Sequence, residues 1–93
     1  MVKYPDMTKR AKPLIVGNWK MNPATLSRAE KIVVDIQKGL HGRVGASEIV
    51  IAPPLPYVSD LKELAGAQKI SFAAQDVSFA ESGAYTGEVG ISM

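Results

Sequence analysis

A change of hydrophobic period that repeats along the chain constrains the fold more than any other feature. "LIVGN" (14–18) is a short β-branched run bounded by polar residues, the pattern of a strand buried on both faces. Beyond it, Leu26, Ala29, Ile32, Val33, Ile36 and Leu40 recur at threes and fours, with Arg28, Glu30, Lys31, Asp35 and Lys38 between them. That spacing predicts an amphipathic helix over 24–40. Two starts compete for it: Ser27 with Glu30 as a capping box, or Asn22 as cap with Pro23 at the first helical position. "GLHGRVG" (39–45) ends the helix with glycines. "EIVIAPP" (48–54) predicts a second strand, 48–52, stopped by two prolines that have no N–H for a ladder.

Pro56 fits the first turn of a second helix, 56–65, whose stripe is Tyr57, Val58, Leu61, Leu64 and Ala65 and which Gly66 closes. "KISFAAQ" predicts a third strand, 69–75. The order is β-α-β-α-β, with strands beginning near 14, 48 and 69, far enough apart for parallel strands joined by helical crossovers. From Asp76 on, "DVSFAESGAYTGEVGISM" keeps no period and predicts a long loop, 76–88. Loops of that length usually carry a task.

Composition removes several functional classes. Apolar residues make up 46% of the 93, too many for a disordered tail. Eleven basic and nine acidic residues leave a net charge of +2, no electrostatic footprint for nucleic acid. The excess sits in Lys3, Lys9, Arg10 and Lys12, within an N-terminal extension, 1–13, that reads as a solvated tail. The absence of cysteine excludes disulfides, thiolate metal sites and thiol nucleophiles, and fits a reducing compartment. No stretch reaches the roughly 18 apolar residues that span a bilayer, and 1–13 has no apolar signal core. The expectation is a soluble, cytoplasmic protein with no nucleic-acid or membrane partner.

Chemistry is sharpest in "LIVGNWKMN" (14–22), where a strand runs straight into polar groups. In parallel α/β architectures, binding groups collect at the C-terminal ends of strands. Asn18 and Lys20 lie at such an end, and in extended backbone residues two apart share a side. The ammonium suits an anionic oxygen and the amide a neutral hydrogen-bonding role. Position alone leaves a solvated capping lysine as the commoner account. Trp19 and Met21, on the opposite parity, read as core under the first helix. His41, the single histidine, has no carboxylate near it in sequence and reads as an exposed residue at a helix end, not a catalytic base. Asp35, Asp60 and Glu63 fall on polar helix faces, and Gly83, Gly87 and Gly90 are spaced too loosely for a phosphate-cradling motif.

Three stretches together, "VGNWKMN" (16–22), "IAPP" (51–54) and "AAQDVSFAESGAYTGEV" (73–89), resemble the start of the triose-phosphate isomerase family, in its order and at its intervals. The resemblance covers 14–93 and implies an α/β fold, the N-terminal fragment of a (β/α)8 TIM barrel, with 14–93 as a partial barrel domain. It implies interconversion of dihydroxyacetone phosphate and glyceraldehyde 3-phosphate, with Asn18 and Lys20 binding the triose phosphate. Lys20 would also act catalytically, by stabilising charge on the substrate oxygens. It implies no cofactor and no metal, because hydrogen bonds and charge polarise the carbonyl.

The family's electrophilic histidine follows the fourth strand and its general-base glutamate precedes a lid after the sixth. Neither segment lies in 1–93, and His41, following the first helix, is not that histidine. A whole barrel takes about 250 residues, so these residues amount to roughly three of eight strands, and the end at Met93 reads as a cut. The family's long loop enters a pocket of a second subunit. By resemblance the parent is a homodimer, with Gln75, Tyr85, Thr86, Gly87 and Glu88 in or near its interface. Asp76 stands where the family usually has asparagine, and Gly90 where serine is common. Three functional readings follow: a truncated isomerase, inactive by itself; an assembly module completed by a second chain; and a non-catalytic phosphate binder. The first is favoured. A three-strand piece leaves two sheet edges open, so partial folding or aggregation is expected of it alone.

Overall fold

The computed structural model describes residues 12–41, 47–66 and 70–93. Its elements are β1 (Leu14–Asn18), α1 (Leu26–Leu40), β2 (Glu48–Ala52), a 3-10 turn (Leu55–Tyr57), α2 (Val58–Ala65) and β3 (Ile70–Phe72). The strands form one parallel sheet in the order β1-β2-β3. Gly17, Ile51 and Phe72 stand side by side in the register, as do Val16, Val50 and Ser71. The α/β class and the order read from the sequence are those observed.

Side chains alternate across each strand, and both helices cover one face. Ala29 and Val33 of α1 meet Leu61 and Ala65 of α2 in a fully buried cluster, against which Trp19, Leu26, Tyr57 and Phe72 pack. Ile51 and Ile70, on the same parity as Phe72, are buried as well. Gln37 ties the two helices together by donating from Nε2 to the carbonyl of Ala65 at 3.2 Å.

Leu61 is the largest fully buried side chain. Leu61→Ala should cost about 2–5 kcal/mol of folding stability through lost transfer energy and the cavity left behind. A urea melt followed by circular dichroism reads this as a lower midpoint, and an unchanged midpoint would mean the α1–α2 cluster does not hold the fold.

Several sequence expectations change. β1 is not buried on both faces: Leu14, Ile15 and Val16 are all more than half exposed. β1 is an edge strand, and the face opposite the helices has no covering layer among the described residues. The continuous apolar run therefore stays exposed on both parities at the sheet margin, instead of being sandwiched between two layers. α1 starts at Leu26, between the two starts read from the sequence: after the Asn22 cap and before the Ser27 capping box. Thr25 is its N-cap, accepting from the Arg28 N–H through Oγ1 at 3.3 Å. Pro23 stays outside the helix, its carbonyl accepting the Tyr57 hydroxyl at 3.2 Å.

The second helical segment opens as a 3-10 turn with proline in its first positions and becomes α-helical only at Val58. Its stripe is also narrower than read, since Leu64 is exposed. β3 spans three residues instead of 69–75; Lys69 lies outside the described residues, as do 42–46 and most of 1–13. The last rung is the Ala73 N–H to the Ile51 carbonyl at 2.9 Å. Beyond it β2 gives way to Pro53 and Pro54, which offer no donors. The carbonyl of Ala52 is taken by the Trp19 N–H and the Gln75 side chain instead.

Candidate active site

The C-terminal ends of the three strands meet around that Ala52 carbonyl. β1 keeps one rung beyond its last paired residue, with the Trp19 N–H donating to Ala52 O at 3.0 Å, and then turns. Lys20 has φ = 58°, the one positive value at a non-glycine among the described residues. Left-handed backbone costs an L-residue about 1–2 kcal/mol. Part of that cost is offset locally, because Asn18 accepts the Lys20 N–H on Oδ1 at 2.8 Å. This is the two-residue side-chain-to-backbone bond that asparagine favours in turns.

Asn18 and Lys20 therefore come together for a different reason than the spacing suggested. The extended backbone that puts residues two apart on one side ends before Lys20. What joins them is the Asn18 side chain gripping the Lys20 main chain. The break in parity also explains Met21, expected in the core but 92% exposed, whereas Trp19, still extended, packs on the α1–α2 cluster. With its Oδ1 committed, Asn18 presents its amide nitrogen, which has two N–H donors. The single ion pair among the described residues, Lys31 to Asp35 at 3.2 Å on the solvent face of α1, does not involve the exposed Lys20.

The segment after β3 has a closed base and a turn at its tip. The Ser78 N–H donates to Val89 O at 2.8 Å, the Val77 N–H to Asp76 Oδ1 at 2.9 Å, and the Ala80 N–H to Ser78 Oγ at 3.1 Å. At the tip the Glu88 N–H reaches Tyr85 O at 3.1 Å across Thr86 and Gly87. Gly87 has φ = 83°, the value a type II turn requires at its third position and glycine supplies without strain. Tyr85 meets Phe79 edge to face with centroids 6.0 Å apart, and Phe79 is almost wholly exposed. At Gly90 the backbone runs so near that a β-carbon would lie 2.9 Å from the Glu81 carbonyl oxygen, which accounts for a residue without a side chain there.

A family model described as triosephosphate isomerase matches residues 13–93. The chain belongs to the triosephosphate isomerase family. Named relatives agree across kingdoms. Triosephosphate isomerase of Xanthomonas euvesicatoria pv. vesicatoria is 46% identical over 80 residues, 86% of this chain and 31% of the relative. The enzyme of the fungus Coprinopsis cinerea is 42% identical over 73 residues, 78% of this chain and 28% of its own length. That of Vesicomyosocius okutanii is 40% identical over 81 residues, again 86% and 31%. The chain thus spans about a third of the length of the curated relatives it matches. The parallel βαβαβ order is that of the opening units of the family's barrel.

Among the described residues, none of the other sequence candidates His41, Asp60 and Glu63 hydrogen-bonds to Asn18 or Lys20. His41 is exposed and follows α1, whose 15 residues carry the chain about 22 Å back toward the opposite end of the sheet. Asp60 and Glu63 are exposed on α2. Of the five residues tied by resemblance to an interface, Tyr85, Thr86, Gly87 and Glu88 form the exposed tip turn. Gln75 stands apart from them at the base, bonded to Lys20 and Ala52. The family resemblance signalled the tip but gave no sign of this second role for Gln75. Among the described residues no helix is long and apolar enough to cross a membrane.

Proposed function

We propose that this chain supplies the first-strand corner of a triose-phosphate isomerase site, in which dihydroxyacetone phosphate and glyceraldehyde 3-phosphate interconvert. The observation that carries the reading is the turn at the end of β1, which projects Asn18 and Lys20 at the C-terminal edge of a parallel sheet in a chain of this family. Isomerisation moves a proton between adjacent carbons and builds negative charge on the substrate oxygen. A fixed ammonium beside that oxygen lowers the barrier because the charge it meets is larger in the transition state than in the ground state. The Asn18 amide nitrogen would donate to the same ligand and hold it in register with Lys20.

The proton transfer itself needs a carboxylate base and an electrophilic donor, and the single histidine of these 93 residues, His41, is placed for neither. On this reading those groups come from the later βα units of the barrel. The exposed tip turn, Tyr85 to Glu88, with Phe79 beside it, belongs to the same proposal as the part that meets a second subunit of the assembled enzyme. Cytoplasmic placement follows from the same glycolytic role.

The test joins the 93-residue chain to the remaining C-terminal portion of the Xanthomonas euvesicatoria relative. The fusion should interconvert the two triose phosphates well above a host-enzyme blank, and a folded fusion without turnover would refute the reading.

A further inference from the structure

Gln75 sits 55 residues from Lys20 in sequence, yet its Nε2 donates to Lys20 O at 2.8 Å and to Ala52 O at 2.9 Å. A primary amide nitrogen has two N–H groups, so both are spent on main-chain oxygens of two different strand ends. One of those oxygens belongs to the residue with the strained backbone, φ = 58°. Strained residues persist where their surroundings over-determine them. Lys20 is held on its N–H side by Asn18 and on its carbonyl side by Gln75, while the Trp19 N–H bonds the same Ala52 carbonyl that Gln75 does. The β1 turn, the end of β2 and the segment after β3 are thereby locked through one side chain.

We infer that Gln75 is a positioning residue for Lys20: its bridge between the Lys20 and Ala52 carbonyls holds the left-handed turn that aims the ammonium. The inference rests on the reading of Lys20 as a substrate-binding group. Gln75 itself is exposed and takes no part in the buried cluster of α1 and α2. Its loss should therefore move the aim of Lys20 while leaving the buried cluster of α1 and α2 in place.

The experiment uses the fusion of the 93-residue chain to the relative's C-terminal portion, with glyceraldehyde 3-phosphate as substrate. Gln75→Met keeps the length of the side chain and removes both donors. It should raise KM by about tenfold, the factor expected for loss of an ordinary hydrogen-bond pair, with the melting temperature within a few degrees of the parent. A purely structural role would lower the active fraction, and so kcat, and leave KM in place. Gln75→Glu keeps the shape and sets a carboxylate against two carbonyl oxygens, so it should raise KM at least as far, and it stands in if the methionine variant folds poorly. Lys20→Ala in the same fusion separates the two claims. If Lys20→Ala abolishes turnover while both Gln75 variants keep KM within twofold, the positioning role is wrong and the site reading stands. If Lys20→Ala leaves turnover intact, the site reading falls and this inference falls with it.

Discussion

In the assembled isomerase, Lys20→Ala is expected to lower kcat/KM by about 10²–10³-fold or more, the cost of removing one preorganised donor from a developing oxyanion. A full positive charge on a turn held by hydrogen bonds from two other residues has more to lose than a neutral donor. The ammonium has to be near the substrate before the reaction starts, so both KM and kcat should suffer. Lys20→Arg is the informative companion. It keeps the charge but replaces a compact point by a planar fork, and should recover binding more than turnover. Because Lys20 is exposed, neither change should disturb the fold, and melting curves should overlay the parent. An alanine variant that keeps a tenth of the parent's kcat/KM would take Lys20 out of the site.

The purified 93-residue chain, assayed alone, is expected to turn over triose phosphate about 10⁴–10⁸-fold more slowly than a whole enzyme, since general acid and base groups contribute about 10²–10⁴ each. On the proposed reading Asn18 and Lys20 bind and polarise the substrate, yet an amide and an ammonium do not carry a proton between two carbons. The assay has to be run on protein free of host isomerase, because a trace contaminant would imitate success. Near-normal turnover from the pure chain would mean that its own groups, His41 or a carboxylate, do the proton transfer after all. Adding a second chain with the later βα units and recovering activity would show that the two pieces share one site.

The period changes carried most of the fold. Helix and strand alternate so cleanly that α1, α2 and the parallel order are legible in the sequence, because the apolar stripe of each helix has to find a sheet face. The edges of elements were less legible. Thr25 carries a weaker local cap signature than Ser27 with Glu30 or Asn22 with Pro23, and Pro23 is engaged instead by the Tyr57 hydroxyl, a contact across 34 residues. β3 ended early because its neighbour runs into Pro53 and Pro54, and the sequence of β3 itself holds no trace of that. In the candidate site, Asn18 and Lys20 stood out through their motif, whereas the turn that joins them did not. A positive φ at a lysine has no sequence signature, and a glutamine that reaches two carbonyls from 55 and 23 residues away can be seen only in three dimensions. β1 looked fully buried because composition reports what a strand is suited to meet, not what these residues place against it.

The shared Ala52 carbonyl sets a rule for how this family's opening units can change length. The stretches between Lys20 and Glu48 and between Ala52 and Ile70 connect the strands, and surface loops within them can gain or lose residues at a modest entropic cost. The short spans at the strand ends have no such latitude. Adding one residue between Phe72 and Gln75 would turn the glutamine to the other face of the chain, and adding one between Asn18 and Lys20 would move the amide off the N–H it grips. Length variation should therefore gather in the helical crossovers, with the distances from Asn18 to Lys20 and from Phe72 to Gln75 held constant.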